Sequence, residues 1–318
     1  MNSNMLGQTG INVSKVSFGT VSLGVPYGIN VDSQKDMLSE LQAIDLLRMA
    51  VDRGVRFFDT ARDYGCSEER LGKAFKGRRQ DAVIATKCTP LYGKDRILPP
   101  DHALEKLIDG SLNRSLSALQ TDYVDVYMLH NADLGILQNQ TIANTFLGYK
   151  QKGLVRAIGV STYTVEETLD AIKSGIWDVI QLPYNLMDQR QNVCFDLAAE
   201  KGIGLVVRSV LFKGILTDRC TNLHPALEAV EQHRQHYCEL LDENISTLSE
   251  LATRFVLSHP QVSSVLVGID KEEYLDQAIS VADSHCLDQA IRQKLRELAF
   301  PNPEFLDLPK WNQMGWLT

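Results

Sequence analysis

The sequence predicts an α/β fold, a closed (β/α)8 TIM-type barrel forming a single domain over residues 1–318, and three observations point to it. Eight short apolar runs alternate with longer amphipathic stretches. Three of the runs, all within the first 130 residues, end in Asp59, Lys87 and His130, as expected if parallel strands deliver their C-terminal ends to one mouth. No G-x-G-x-x-G follows the first run, which weakens the alternative of an open doubly wound sheet.

Taken in order, Met5–Lys15 turns at Thr9-Gly10 and reads as an opening hairpin. Strands are expected at Val16–Gly19, Arg56–Asp59, Val83–Lys87, Val124–His130, Val155–Ser161, Val179–Leu182, Leu205–Arg208 and Val262–Val267. Helices are expected at Leu41–Arg53, Glu68–Phe75, Asp101–Leu119, Ile142–Gln151, Val165–Ser174, Gln189–Lys201, Glu243–Ser258 and Glu272–Ala282. Ser67 precedes Glu68 and Glu69 as a capping serine would, and Thr164 with Glu167 forms a capping box. His259-Pro260 ends the seventh helix. The longest connection, Phe212–Asp242, follows strand 7 and carries an extra helix at Pro225–Leu241; it should lie over the substrate. The tail Phe300–Thr318, with Pro301, Pro303, Pro309, Trp311 and Trp316, reads as irregular.

Composition excludes some classes. The 44% hydrophobic content suits a large core. A net charge of −8 argues against a general nucleic-acid binder, though not against a local basic pocket. Six scattered cysteines without a C-x-x-C pair read as free thiols of a reducing compartment. No secretory signal pattern and no apolar run of membrane-spanning length is present, so a cytoplasmic protein without membrane partners is the expectation.

The strand ends carry the chemistry. Tyr64 stands five residues beyond Asp59. A phenol titrates near pH 10, and the Lys87 ammonium would lower that value while Asp59 holds Lys87 in place. His130 would bond a substrate carbonyl and align it under the phenol. Each residue alone has a bland explanation: a turn cap, a loop aromatic, a solvated lysine, a structural histidine. Four complementary groups at three successive strand ends outweigh those explanations jointly. Tyr64 would give a proton to a carbonyl oxygen, and a nicotinamide cofactor is required for the hydride. A metal site of His130, Asp59 and Asp133 lacks a second histidine at ligand spacing, so none is expected.

The chain resembles the aldo-keto reductases. The carriers are Leu6–Ser14 with Phe18-Gly19-Thr20, then Gly54–Ala61 with Tyr64-Gly65 and Ser67-Glu68-x-x-Leu71-Gly72. Ser115-Leu116-x-x-Leu119, Asp122–Asp125, Leu129-His130 and Gly153–Ser161 complete them. The resemblance implies an NADP(H)-binding barrel with Asp59, Tyr64, Lys87 and His130 as a catalytic tetrad. It places Gly19, Thr20, Asp59, Ser161, Thr162, Gln181, Arg208, Ser209, Leu211, Lys213, Gly268, Asp270, Lys271 and Tyr274 along the cofactor. Ser161 and Gln181 would bond the carboxamide, with Thr162 in place of the usual asparagine. Arg208 replaces the usual stacking aromatic; a guanidinium there would disfavour the cationic oxidised ring, or would reach an acidic substrate or a cofactor phosphate. Tyr274 and Ala278 replace two of the groups that in the family hold the 2′-phosphate and the adenine, and Asp270 is an acid that would repel the phosphate with Lys271 alone to offset it, so NADP is the expectation and NAD the alternative.

The function these readings imply is NAD(P)H-dependent reduction of an aldehyde, ketone or sugar carbonyl. The alternatives are an aldose or polyol dehydrogenase running in reverse, or a cofactor-binding redox-sensor subunit. Val25-Pro26-Tyr27, Tyr92, the Phe212–Asp242 insertion and the tail would set specificity; the oligomeric state stays open.

Overall fold

The N-terminal hairpin is built from β1 (Ser3–Met5) and β2 (Asn12–Ser14), antiparallel with Ser3 opposite Ser14. Its Leu6, Ile11 and Val13 are buried in one cluster with Phe57, Ala85, Val126, Ala157, Val179 and Val206 from six barrel strands. Leu6 also packs so closely on Gly204, at the start of a strand, that a Cβ there would lie 2.7 Å from Leu6 Cδ1. The hairpin therefore floors the N-terminal end of the barrel. These coordinates are a computed structural model describing residues 2–29, 31, 37–93, 95–220, 222–284 and 286–317.

Eight parallel strands follow: β3 (Val16–Gly19), β4 (Phe57–Asp59), β5 (Val83–Cys88), β6 (Val124–Leu129), β7 (Val155–Ser161), β8 (Val179–Pro183), β9 (Gly204–Arg208) and β10 (Val262–Gly268). Each pairs with the next, and β10 closes the barrel on β3 with Gly268 opposite Gly19. Their nearly continuous burial, rather than alternation, is what strands covered on both faces show. The register aligns Gly19 with Asp59, Ser161 with Gln181 and Pro183 with Arg208, so the expected site residues share one end.

The helices are α1 (Glu40–Asp52), α2 (Ser67–Ala74), α3 (Asp101–Leu119), α4 (Leu134–Leu137), α5 (Gln140–Gln151), α6 (Val165–Ser174), α7 (Phe195–Glu200), α8 (Glu228–Cys238), α9 (Leu248–Leu257), α10 (Glu272–Asp283), α11 (Gln289–Glu297) and α12 (Leu308–Gln313). The Thr164–Glu167 capping box forms as expected, and a second one, Ser39 with Gln42, starts α1. None of the described helices is long and apolar enough to cross a membrane.

Four local expectations are corrected. Ser67 does not cap α2; it lies inside the helix, and its Oγ meets Thr20 Oγ1 at 2.6 Å and Thr60 Oγ1 at 3.0 Å, tying α2 to the ends of β3 and β4. The expected helix Gln189–Lys201 divides into a 3-10 turn, Arg190–Cys194, and α7; Asp188 accepts from both the backbone and guanidinium of Arg190 and tightens that turn. The helix expected from Glu243 starts only at Leu248, because Asp242 Oδ1 takes the amides of Asn244 and Ile245 and Thr247 caps Glu250. The tail is ordered, not irregular: α12 buries Trp311 edge-on to Phe212, ring centroids 5.6 Å apart, and Asn312 accepts from Lys213.

Gly72 shows what the signature's glycine does. It lets α2 approach the end of α3, and a Cβ there would lie 2.4 Å from the Ala118 carbonyl oxygen. Gly72→Ala should therefore lose about 1–3 kcal/mol of stability, read as a shifted denaturation midpoint. Unchanged stability would mean that the two helices are not held at this separation.

Candidate active site

The C-terminal ends of the strands open into a cavity of about 880 Å³, toward the upper end of the ~300–1,000 Å³ range of ligand pockets. Asp59, Tyr64, His130, Ser161, Gln181 and Arg208 line its inner part. Asp59 ends β4, and both its oxygens are engaged: Lys87 Nζ donates to Oδ2 at 2.6 Å and Gln181 Nε2 to Oδ1 at 2.8 Å. Lys87 is 1% exposed and also donates to the Thr60 carbonyl at 2.9 Å. Its ammonium lies 5.1 Å from the centroid of the Tyr64 ring, and His130 stands edge-on to that ring at 5.5 Å. The four residues expected to act together are thus gathered, three on the cavity wall and Lys87 just behind it.

The electrostatics depart from the expectation that Lys87 makes the phenol acidic. The Tyr64 pKa is pushed well above its ordinary value, first by burial and then by the Asp59 carboxylate, and the cation that opposes this is Arg208. Lys87 is spent on Asp59, and burial lowers its own pKa. Lys87 Nζ lies 2.6 Å from Asp59 Oδ2, and burial outweighs the charges around the phenol. Tyr64 is thereby held toward its protonated form. Burial also lowers the pKa of His130, against the pull of Asp63, whose Oδ2 lies 3.7 Å from Nδ1. Asp63 was not singled out in the sequence; its place beside Tyr64 was the available signal.

The loop bearing Tyr64 is braced from below. Arg62 Nη1 pairs with the fully buried Glu68 at 2.6 Å, and Thr86 Oγ1 donates to Glu68 Oε1 at 2.6 Å. Gly24 and Gly65 meet so closely that a Cβ on Gly24 would lie 1.7 Å from the Tyr64 carbonyl oxygen.

Twelve of the fourteen positions expected along a cofactor line this cavity: Gly19, Thr20, Asp59, Ser161, Gln181, Arg208, Ser209, Leu211, Lys213, Gly268, Asp270 and Tyr274. Thr162 and Lys271 do not. The Thr162 hydroxyl is buried and lies 2.7 Å from Thr168 Oγ1 on α6. Lys271 lies 5.9 Å from the Tyr274 ring. Tyr92, expected to shape specificity, donates to Asp133 at 2.8 Å and is also absent from the lining. Asp133 Oδ1 in turn accepts from the Ile136 amide at 3.0 Å and caps α4. The insertion contributes Arg219, which the sequence reading missed: it bonds Tyr274, stacks over that ring at 4.0 Å and meets Asp270 at 3.3 Å. Its only sequence signal was a basic residue in the loop covering the site.

A long cavity with polar groups at the inner end and an aromatic, charged outer end fits a dinucleotide. Comparison with known proteins agrees. The sequence model of the aldo/keto reductase family matches residues 15–299. The chain is 30% identical to an L-galactose dehydrogenase of Arabidopsis thaliana, over 93% of this chain and 96% of that one. It is 27% identical to an NADH-specific methylglyoxal reductase of Escherichia coli, over 92% and 97%. The holo form of aldo-keto reductase AKR11C1 from Bacillus halodurans superposes with a TM-score of 0.79 at 27% identity, over 94% and 96%.

Proposed function

The chain belongs to the aldo/keto reductase family, and from that premise we propose that it is an NAD(P)H-dependent oxidoreductase converting a carbonyl to an alcohol, with Tyr64 as the proton donor. The observation that carries this reading is the convergence of Tyr64, His130 and the Asp59–Lys87 pair on one cavity large enough for cofactor and substrate. A nicotinamide, when bound, supplies the hydride that no side chain can. As the carbonyl carbon gains a C–H bond, the π pair moves to oxygen, and Tyr64 gives up its phenolic proton to form the O–H bond. His130 orients the carbonyl, and solvent returns the proton to Tyr64. The Asp59–Lys87 pair, locked by Gln181 and Thr60, holds the wall behind the phenol. We assign the substrate to small aldehydes or sugars, the classes named for the two relatives above. Tyr27 and Tyr163, each nearly half-exposed and lining the cavity, offer rings on which a sugar face can stack. The test is turnover on a panel of aldehydes and sugars in both directions; cofactor binding without turnover on any of them would favour the redox-sensor alternative.

The outer end bears on the choice of cofactor. Arg219 is a cation there, and it is spent on Asp270 and Tyr274. Asp218 and Glu273 line the same cavity, as do Asp270, paired with Arg219, and Glu250, paired with Arg254. Asp218 and Glu273 would repel a 2′-phosphate, whereas Asp270 can accept from a free ribose hydroxyl. This balance supports NADH over the family expectation of NADPH. Fluorescence titration should give NADH the lower Kd, by about tenfold or more for one uncompensated phosphate. Tighter binding of NADPH would reverse the assignment and point to Arg219 leaving Asp270 for the phosphate.

A further inference from the structure

One cation at the inner end of the cavity is left uncompensated by the tetrad. Arg208 ends β9 and lines the same wall as Tyr64 and His130. Its guanidinium is fixed on three sides: Nε donates to Ser161 Oγ at 3.3 Å, Nη1 to Ser209 Oγ at 3.3 Å, and Nη2 to the Thr162 carbonyl at 2.9 Å. Its plane rests over the Tyr163 ring, Cζ 4.2 Å from the centroid. All of these partners are neutral. Among the described residues no carboxylate forms an ion pair with Arg208, and Asp59, which lines the same cavity, has both oxygens taken by Lys87 and Gln181. Guanidinium stays charged throughout the working pH range. The wall therefore carries one full positive charge, held in place by neutral acceptors and shielded from water on one face by Tyr163.

We propose that Arg208 is a selector of cofactor redox state: its unpaired charge disfavours the cationic oxidised nicotinamide relative to the neutral dihydro form, and so poises this site for carbonyl reduction rather than alcohol oxidation. The proposal rests on the reading that a nicotinamide binds at this end of the cavity. A neutral aromatic ring in the same place would stack on either form without discriminating by charge. The guanidinium is held by hydroxyls and a carbonyl instead of a carboxylate, so among the described residues no direct ion pair offsets its charge. The chemistry is balanced by the ring itself: losing a hydride leaves one positive charge, which then faces Arg208 and is favoured to depart. Release of oxidised cofactor is thereby assisted, and its capture opposed. The same field bears on Tyr64, where Arg208 works against the effect of burial.

The test is equilibrium binding of NADH and NAD⁺ to the full chain, without substrate, by fluorescence and calorimetric titration. Wild type should bind NADH about 30-fold or more tighter than NAD⁺, and Arg208→Gln should cut that ratio by about tenfold, chiefly by tightening NAD⁺. Arg208→Lys, which keeps the charge, should preserve most of the ratio. Should the glutamine variant melt early, Arg208→Tyr, which restores a ring, carries the same expectation. An unchanged ratio in a folded neutral variant overturns the proposal. So does equal weakening of both forms, since that is what loss of a merely structural clamp to Ser161 and Thr162 would produce. If wild type binds neither form, nor the 2′-phosphorylated pair, the underlying cofactor reading falls as well; if it binds them and only the ratio is insensitive to charge, that reading stands and this one fails.

Discussion

Tyr64→Phe is expected to lower carbonyl reduction by about 10²–10⁴-fold while leaving the Kd for NADH within about twofold. The ring's packing against His130 and its contact with the Lys87 ammonium survive the change. What is lost is the phenolic proton proposed to reach the carbonyl oxygen. The pH dependence follows from the sign of the shift. Because burial and Asp59 raise the Tyr64 pKa above 10, the phenol stays protonated throughout the neutral and mildly alkaline range. Reduction should therefore show no fall attributable to Tyr64 below about pH 10. A phenylalanine variant with near-normal turnover would take Tyr64 out of the role. A reduction rate in wild type that drops between pH 7 and 9, and does so only when Tyr64 is present, would show that cofactor binding lowers the phenol's pKa far more than the protein alone allows.

The largest expected effect on stability comes from the pair behind that phenol. Asp59→Ala should destabilise the fold by about 3–5 kcal/mol, because it leaves a fully buried ammonium with only the Thr60 carbonyl as a partner. Gln181 loses its acceptor at the same stroke. The double variant Asp59→Leu with Lys87→Met should recover much of the loss, since two apolar side chains need no compensation there, yet it should remain inactive. Denaturant unfolding of the single and double variants separates the two contributions. A single variant as stable as wild type would mean that water reaches Lys87.

Much of this was legible in the sequence, for an identifiable reason. A strand covered on both faces must be apolar along its whole length, so the barrel strands stand out from the amphipathic helices between them; Val16–Gly19 and Val155–Ser161 could be bounded to the residue. The chemistry at the strand ends was legible because register follows from the fold: once β4, β5 and β6 are neighbours, Asp59, Lys87 and His130 must share an end. What could not be read depends on distant partners. The order of the tail comes from Trp311 meeting Phe212, some hundred positions away. The bond between Thr162 and Thr168 Oγ1 joins the end of β7 to the following helix, a pairing the sequence does not announce. Arg219 and Asp270 meet only because the covering loop folds back over β10. The direction of the Tyr64 shift could not be read from the residue types, because it is set first by how deeply the phenol is buried.

The hairpin under the barrel has a consequence for traffic. With Leu6, Ile11 and Val13 covering one end and side chains filling the barrel interior, traffic to the described cavity runs over the rim at the opposite end.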